Sequence, residues 1–347
     1  MAKVKIAING FGRIGRTFLR QAFGHPKLDF VAINDLGSPE NLAYLLKYDS
    51  VYGPYEKSVE VKDGNLAVEG RAIRVLQEKE PAKLPWKDLD IDIVVESTGI
   101  FESHDKAKAH LDAGAKRVVI TAPAKDEITP TSTPNVGEEF LKSDKITSNA
   151  SCTTNAVTPV MAIMMKEPGI KKAILNTVHA YTATQGLVDG PSAAKALEGK
   201  PGHKDDFRRA RAAAVNISPS TTGAALAATK AIPELAGKFD GIATRVPVIC
   251  GSLIDFTFIA ERSTSVEEIN NIFRKAAQEE QWKDILAVTE EPIVSTDILR
   301  QPYGSIVDLA MTRVIDGDLV KVLAWYDNEW GYGAMLLKHI LAVAQLL

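Results

Sequence analysis

The sequence has 347 residues, which is longer than one hydrophobic core usually fills, so two domains are expected. Hydrophobic residues make up 45% of the chain and charged residues 24%, the composition of an ordinary soluble globular protein. The formal net charge of -3 provides no general attraction for nucleic acids or anionic membranes, which argues against nucleic-acid binding as a main role. Because no apolar run approaches the roughly 18 residues that a membrane span needs, no membrane association is expected.

The cysteine content and the N-terminus bear on the cellular compartment. The two cysteines, Cys152 and Cys250, lie far apart in the sequence, which disfavours a disulfide scaffold or a zinc site and leaves a thiol available for chemistry. The first residues, MAKVKIAING, enter a strand pattern almost at once, so a signal or transit peptide is not expected. We therefore expect a cytoplasmic protein without a metal site.

The first 150 residues alternate short β-branched runs with helical patterns, which predicts an α/β fold with a Rossmann-type, doubly wound parallel sheet. The predicted strands are Val4–Asn9, Phe30–Asp35, Ile91–Glu96, Arg117–Thr121 and Lys145–Asn149. The predicted helices are Thr17–Phe23, Asn41–Lys47 and His104–Ala113. Between them, Glu56–Val75 alternates apolar residues around Asp63-Gly64, which predicts a local hairpin.

After Cys152 the pattern favours an α+β domain with a mixed or antiparallel sheet and helices on one face. The alternating runs are Lys172–Thr182, Gly241–Glu261 and Ser305–Tyr326, and the helical stretches are Thr222–Leu235 and Val266–Gln278. The apolar stretch Gly331–Leu347 is expected to form a helix that returns to the first domain. The predicted domains are therefore 1–151 with 328–347, and 152–327. The Gly-, Pro- and Lys-containing stretch Ser192–Asp206 predicts a long exposed loop.

A dinucleotide-binding pattern lies at residues 9–16, which read NGFGRIGR and contain the G-x-G-x-x-G spacing of Gly10, Gly12 and Gly15. It follows a predicted strand and opens a predicted helix, whose N-terminal N–H groups suit a pyrophosphate. Asp35 lies 20 residues after Gly15, where a carboxylate can bind the ribose hydroxyls and repel the 2′-phosphate of NADP. The pattern therefore favours NAD. The alternative is a structural strand–turn–helix in which Asp35 only caps a loop.

A candidate nucleophile, Cys152, lies in SNASCTTN at 148–155, directly before the helix-like run Ala156–Lys166. The positive end of a helix dipole lowers the pKa of a thiol and favours the reactive thiolate. Ser151, Thr153 and Thr154 add hydroxyls and backbone donors that suit a bound anion. The alternative is a buried structural cysteine.

A cysteine nucleophile needs a base, and His179 is a candidate because it ends the predicted strand Ala173–Val178 in the segment NTVHAYTATQ. Five other histidines are present, namely His25, His104, His110, His203 and His339. Sequence spacing alone does not pair any of the six with Cys152. We interpret Cys250, within RVPVICGS, as a packed residue.

Several motifs together resemble the phosphorylating glyceraldehyde-3-phosphate dehydrogenases. They are NGFGRIGR, the IND that ends at Asp35, STG at 97–99, SNASCTTN, HAYTATQ, STTGAA at 220–225, RVPV at 245–248 and WYDNEWGY at 325–332. The resemblance runs from end to end. It implies oxidation of glyceraldehyde 3-phosphate by NAD in glycolysis and gluconeogenesis, with inorganic phosphate as second substrate and 1,3-bisphosphoglycerate as product. It further implies a thioester on Cys152, His179 as general base, and a homotetramer.

The resemblance also implies site residues. It implies NAD contacts from Gly10, Gly12, Arg13, Ile14, Gly15, Asp35, Lys79, Thr121 and Asn328, the last orienting the nicotinamide carboxamide. It implies that two phosphate groups are held by Ser151, Thr153, Thr182, Thr222, Gly223 and Arg245. The sequence departs from the family pattern at 129–139, where TPTSTPNVGEE replaces a hydrophobic strand, and between Pro191 and Arg208, where it is longer.

Two other functions remain open at the level of sequence. One is a different sugar-phosphate aldehyde dehydrogenase, such as an erythrose-4-phosphate enzyme that releases a free acid. The other is a non-catalytic NAD-binding or interaction protein, including one that binds RNA. The presence of Cys152, His179 and Arg245 in matching motifs argues against the second alternative.

Overall fold

The structure, a computed structural model, describes residues 3–190 and 204–347, with residues 204–206 described by their backbone alone. Most of the predicted loop Ser192–Asp206 therefore lies outside the described residues. Internal packing divides the chain into two compact units. The first contains Met1–Ser151 and Gly333–Leu347, and the second contains Cys152–Tyr332.

The first unit is built on an eight-stranded sheet. Its strands are β1 (Val4–Asn9), β2 (Leu28–Asn34), β3 (Val59–Lys62), β4 (Asn65–Val68), β5 (Arg71–Leu76), β6 (Ile93–Glu96), β7 (Arg117–Ile120) and β8 (Ile146–Ser148). Their order in the sheet is β3-β4-β5-β2-β1-β6-β7-β8. From β5 to β8 all neighbours are parallel, whereas β3, β4 and β5 form an antiparallel meander at one edge. The predicted doubly wound sheet and the hairpin turn at Asp63-Gly64 are confirmed.

Helices alternate with the parallel strands of this sheet. They are α1 (Arg13–Ala22), α2 (Pro39–Lys47) and α3 (His104–Asp112), with short 3-10 turns at Pro81–Lys83 and Glu138–Lys142. All four residues of β6 and all four of β7 are buried, as expected for parallel strands covered on both faces. The layered arrangement leaves the loops at the carboxyl ends of the strands available for a ligand.

The second unit contains a seven-stranded sheet. Its strands are β9 (Ile170–Ala180), β10 (Ser218–Thr221), β11 (Phe239–Val246), β12 (Ser252–Ala260), β13 (Leu286–Thr289), β14 (Ser305–Ile315) and β15 (Leu319–Tyr326). Their order in the sheet is β10-β11-β9-β12-β15-β14-β13. Two pairs, β11 with β9 and β13 with β14, are parallel and the other four are antiparallel. The predicted mixed sheet is therefore confirmed.

The helices of the second unit are α4 (Cys152–Lys166), α5 (Ala224–Ala231) and α6 (Val266–Ala276), with 3-10 turns at Lys204–Ala210, Ala213–Val215 and Pro233–Leu235. Strands β12 and β15 alternate strictly between buried and half-buried residues, which is the pattern of a sheet with one covered face. The predicted run Gly241–Glu261 comprises two strands, because Pro247 and Gly251 interrupt the ladder between β11 and β12.

The C-terminal helix α7 (Trp330–Ala344) contributes its residues from Gly333 onward to the first compact unit. Its buried His339 contacts the hydroxyls of Ser132 at 3.3 Å and Thr147 at 3.1 Å. The polar stretch 129–139 thus finds polar partners in the interior instead of forming a hydrophobic strand. Among the helices that the structure describes, none combines the length and apolar character needed to cross a membrane.

Candidate active site

The glycine-rich turn joins β1 to α1 and is shaped by close packing. Gly10 has a φ of 92°, and a Cβ at this position would lie 2.7 Å from the backbone of Ser97 and Thr98. A Cβ on Gly15 would collide with the carbonyl oxygen of Gly10, whereas a Cβ on Gly12 would meet nothing within 4 Å. Packing therefore accounts for the first and third glycines, while the second borders open space that a ligand can approach.

Helix α1 begins directly at this turn with Arg13 and Ile14. Its first turn carries basic side chains, and its N-terminal N–H groups present partial positive charge to an anion. The Arg13 guanidinium itself pairs with the carboxylate of Asp49 and lies 5.6 Å from the ring centre of Tyr52. A contact from Arg13 to a phosphate would therefore be made by its backbone N–H.

Asp35, the first residue after β2, is held beside the glycine-rich turn. Its Oδ2 accepts a hydrogen bond from the N–H of Phe11 at 2.7 Å, and its Oδ1 accepts one from Gly37 at 2.9 Å. Lys79 is exposed beyond the end of β5, and Thr121 follows β7 with its hydroxyl donated to the carbonyl of Glu96 at 3.0 Å. Since these strands are parallel, all three residues lie at the carboxyl edge of one sheet, where doubly wound folds bind nucleotides.

In the second unit, Cys152 is the first residue of α4 and its sulfur lies 3.3 Å from Nε2 of His179. The chain reaches the helix from β8 through a short turn in which Ala150 has a φ of 57°. This is the left-handed region that costs energy for a residue with a side chain, and such strain is common at functional sites. The turn places the thiol at the helix N-terminus, as the sequence predicts.

His179 lies near the end of β9, directly beside Arg245 of the neighbouring strand β11 in the parallel register. Nδ1 of His179 lies 2.6 Å from the carbonyl oxygen of Ala180 and 2.6 Å from Nη1 of Arg245. The guanidinium can only donate, so Nδ1 cannot satisfy both contacts in one protonation state. Donation from Nδ1 to Ala180 leaves the lone pair of Nε2 facing Cys152, which is the tautomer that a general base requires.

The electrostatics of this pair differ from the expectation for a helix N-terminus. Burial raises the pKa of the Cys152 thiol, and the charge of Arg245 and hydrogen bonds from Thr153 only oppose this increase. Burial together with the charge of Arg245 lowers the pKa of His179 to about 3. The resting pair is thus a neutral thiol and a neutral imidazole. Transfer of the proton along the 3.3 Å contact would convert this thiol to a thiolate.

Sequence reasoning missed Tyr326, which lies next to the imidazole of His179. Its buried hydroxyl contacts Thr153 at 2.9 Å and Thr177 at 2.7 Å, and its ring packs edge-on against His179. The hydroxyl of Thr153, a predicted phosphate contact, is therefore engaged in the interior. The motif WYDNEWGY contains Tyr326, but its sequence neighbours do not reveal a partner 173 residues away.

Arg209 was also missed, although it adds positive charge to the same site. Nη2 of Arg209 donates to the carbonyl of Thr221 at 3.1 Å. Its charge, after burial, is the main factor that lowers the pKa of Arg245, so the two guanidinium groups lie close enough to repel each other. A site with two neighbouring cations is suited to phosphate groups.

The remaining predicted phosphate contacts lie in the turns that adjoin β9, β10 and α4. The hydroxyl of Thr222 accepts the N–H of Ala224 at 3.1 Å, and Gly223 precedes the first residue of α5. Thr182, beyond β9, pairs its hydroxyl with that of Thr184 at 2.9 Å. Ser151 immediately precedes Cys152.

Asn328 follows β15 and is buried, with only 4% of its surface exposed. Its Oδ1 accepts hydrogen bonds from the N–H of Gly251 at 3.1 Å and the hydroxyl of Ser252 at 2.9 Å. Cys250 is buried as interpreted from the sequence, and its thiol donates to Oδ1 of Asp327 at 3.2 Å. Of the histidines within residues 3–190 and 204–347, His179 is the one that contacts Cys152.

Comparison with known proteins identifies the family. The model of the glyceraldehyde 3-phosphate dehydrogenase NAD binding domain matches residues 4–104, and that of its C-terminal domain matches residues 151–328. The glyceraldehyde-3-phosphate dehydrogenase of Borreliella burgdorferi is 46% identical over 341 residues, covering 96% of this chain and 98% of that protein. The enzyme of Zymomonas mobilis is 44% identical over 347 residues, covering 99% of each. Glyceraldehyde-3-phosphate dehydrogenase 2 of Bacillus subtilis is 44% identical over 345 residues, covering 98% of this chain and 97% of that protein. The chain therefore belongs to the glyceraldehyde-3-phosphate dehydrogenase family, with NAD as its cofactor.

Proposed function

We propose that this protein oxidises and phosphorylates glyceraldehyde 3-phosphate to 1,3-bisphosphoglycerate in glycolysis, with reduction of NAD and a thioester on Cys152. The observation that carries the proposal is the 3.3 Å contact between Sγ of Cys152 and Nε2 of His179 at the start of α4. It joins a nucleophile, a base and a helix N-terminus, the groups that acyl transfer through sulfur requires.

The residues of the first unit fit NAD. The open space over Gly12 and the basic first turn of α1 suit its pyrophosphate, and the carboxylate of Asp35 suits its ribose hydroxyls. We assign cofactor contacts to Gly10, Gly12, Arg13, Ile14, Gly15, Asp35, Lys79, Thr121 and Asn328. When bound, NAD supplies the acceptor for the hydride that leaves the substrate.

The chain's own groups perform the proton and acyl steps. His179 takes the proton of Cys152, and the sulfur forms a bond to the aldehyde carbon while His179 returns the proton to the aldehyde oxygen. His179 then accepts that hydroxyl proton as the hydride departs, which leaves a thioester on Cys152. An oxygen of inorganic phosphate attacks the thioester carbon, and the carbon–sulfur bond breaks with its electron pair on sulfur, which releases the acyl phosphate. The Cys152 thiolate then takes back the proton held by His179 across the 3.3 Å contact, which restores the neutral pair. The N–H of Cys152 and His179 stabilise the oxyanion in both additions.

We assign the phosphate groups of the two substrates to Ser151, Thr153, Thr182, Thr222, Gly223 and Arg245. The charges of Arg245 and Arg209 support this assignment, since each guanidinium is a fork of donors that matches phosphate oxygens. Arg209 was not part of the sequence-based prediction.

Replacing Arg245 by Leu is expected to impair glyceraldehyde 3-phosphate far more than unphosphorylated glyceraldehyde. A charge-assisted hydrogen bond contributes about 1.5–3 kcal/mol. The kcat/KM for glyceraldehyde 3-phosphate, divided by that for glyceraldehyde, should therefore fall roughly 10- to 100-fold. Arg313→Leu, an exposed arginine on β14, serves as the matched control. Steady-state kinetics on both aldehydes provide the measurement, and an equal loss on both would assign Arg245 a structural role.

Replacing Asp35 by Asn is expected to lower the affinity for NAD about 10- to 100-fold. It should also reduce the preference of the protein for NAD over NADP. The variant removes the negative charge that opposes a 2′-phosphate but supplies no cation for it, so the preference should relax without reversing. Asp29→Asn, exposed on the same strand β2, controls for the change of charge. Titration with both cofactors tests this prediction. An unchanged ratio of NAD affinity to NADP affinity would show that Asp35 does not contact the ribose.

The experiment that tests the whole proposal is NAD reduction with glyceraldehyde 3-phosphate, with and without inorganic phosphate. Sustained turnover should require phosphate, because the thioester otherwise remains on Cys152 after one equivalent of NADH. A turnover rate that does not depend on phosphate would instead indicate an aldehyde dehydrogenase that releases a free acid. Absence of turnover would support the alternative that the protein binds NAD without catalysing a reaction.

The domain assignment belongs to the same proposal, with 1–151 and 328–347 as the NAD-binding domain and 152–327 as the catalytic domain. The compact units place 328–332 with the catalytic residues. Asn328 itself accepts hydrogen bonds from Gly251 and Ser252 of the second unit.

We further propose a cytoplasmic homotetramer. The second unit exposes several large apolar side chains that a monomer would leave in water, and copies of the chain can cover them in a symmetric assembly. They include Val215, Ile217, Leu226 and Ile242, all more than half exposed. Light scattering should therefore give about four times the 37.6 kDa chain mass. A monomer in solution would contradict the proposal.

A further inference from the structure

We infer that Ser252 is a positioning residue that fixes the orientation of the Asn328 amide for the nicotinamide carboxamide of NAD. The inference rests on the proposed role of Asn328 as a cofactor contact. Ser252 is the first residue of β12, with 1% of its surface exposed, and Asn328 follows the adjacent strand β15. Neither sequence motif nor residue spacing had identified Ser252.

The end of the Asn328 amide that points into the protein is its carbonyl oxygen. A backbone N–H can only donate, and the N–H of Gly251 lies 3.1 Å from the atom assigned as Oδ1 of Asn328. That atom must therefore be the carbonyl oxygen, because an NH2 group in its place would face another donor. This position requires glycine, because its φ is 91° and a side chain there would collide with the carbonyl of Ser295.

The Ser252 hydroxyl accepts one hydrogen bond and donates another. The N–H of Ala180 donates to Oγ of Ser252 at 3.1 Å, so this hydroxyl acts as an acceptor on one side. Its own hydrogen is then donated to Oδ1 of Asn328, 2.9 Å away. Ala180 also follows the proposed base His179 in β9, so one hydroxyl connects that strand end to the amide.

Together these contacts saturate one end of the amide. Oδ1 of Asn328 accepts from Gly251 and Ser252, so a flip of the side chain would break both bonds and oppose donors with donors. The NH2 group is consequently the end that is offered to a ligand. It can donate only to an acceptor such as the carbonyl oxygen of a carboxamide.

The test compares the binding of NAD with that of ADP-ribose, which lacks the nicotinamide ring and its carboxamide. In calorimetric titrations of the full-length protein, Ser252→Ala should lower the affinity for NAD about three- to tenfold, which is the effect of losing one hydrogen bond. ADP-ribose affinity should stay as in wild type. Thr257→Ala removes a hydroxyl of the same strand that pairs with Asp255, and it should leave both affinities unchanged.

A double-mutant cycle separates this inference from the function on which it rests. Asn328→Ala should reduce NAD affinity without affecting ADP-ribose, and Ser252→Ala should have no further effect in that background. If Asn328→Ala does not change the NAD/ADP-ribose ratio, the proposed cofactor contact of Asn328 is wrong. If Asn328→Ala changes the ratio but Ser252→Ala does not, the inference about Ser252 is overturned.

A third variant guards against a general loss of structure. Ser252→Cys keeps the shape of the side chain but offers a weaker donor, so its NAD affinity should lie between those of wild type and Ser252→Ala. Equal weakening of NAD and ADP-ribose in both Ser252 variants would show that the hydroxyl supports the fold in general, and it would overturn the inference.

Discussion

Replacing Cys152 by Ser should reduce NAD-dependent aldehyde oxidation by roughly 10⁴-fold or more while leaving NAD binding intact. A serine hydroxyl is barely ionised at neutral pH, and an oxygen ester gives up its acyl group to phosphate less readily than a thioester. The substitution changes one atom at the start of α4, so the dinucleotide turn of the first unit should keep its structure. Single-turnover NADH formation and NAD titration measure the two properties separately.

Alkylation provides an internal control for the same assignment. Cys152 is partly exposed, whereas Cys250 is 1% exposed and donates its thiol to Asp327. Stoichiometric iodoacetate should therefore label Cys152 and abolish activity. Since burial raises the pKa of this thiol, labelling should accelerate as the pH rises and the thiol ionises. Inactivation with the label on Cys250 would overturn the choice of nucleophile.

Replacing His179 by Asn should lower turnover by roughly 10²–10⁴-fold, the usual contribution of a positioned general base. The neutral imidazole at 3.3 Å accepts the thiol proton, and Asn offers no group that can take a full proton. Because burial and Arg245 lower the pKa of His179 to about 3, the wild-type base stays unprotonated down to strongly acidic pH. Its contribution should therefore be present at neutral pH and disappear only as the pH falls towards that value.

The control for this prediction is His104→Asn, which alters a histidine of the first unit that pairs with Asp144 at 3.2 Å. It should retain wild-type turnover. The rate of Cys152 alkylation at neutral pH should drop in His179→Asn and remain unchanged in the control. If both turnover and alkylation survive the loss of His179, the base lies elsewhere.

Local patterns were sufficient for the dinucleotide turn. Gly10, Gly12 and Gly15 lie within six residues, and the strand before them and the helix after them are specified by their own periodicity. Asp35 could be predicted because the crossover of a doubly wound sheet brings the end of the next strand to the same edge. The position of Cys152 at a helix start could likewise be predicted from the polar residues before a helical run.

The pairing of the thiol with its base could not be obtained from local patterns, because it depends on contacts between distant segments. His179 meets Cys152 only because β9 packs in the sheet beneath α4, and it meets Arg245 only through the parallel register of β9 and β11. Without the family motifs, any of six histidines could have been the base. Tyr326 was missed for the same reason.

The protonation state of the pair and the orientation of Asn328 depend entirely on tertiary structure. A helix N-terminus alone predicts a lowered pKa for Cys152, but burial outweighs that effect and raises it. The sequence by itself therefore determined the family and the cofactor and identified Cys152 as the candidate nucleophile, since short segments carry these signals. Tertiary structure decided which groups share a proton and which amide end meets the ligand, because desolvation and hydrogen bonding arise only when distant strands are brought together.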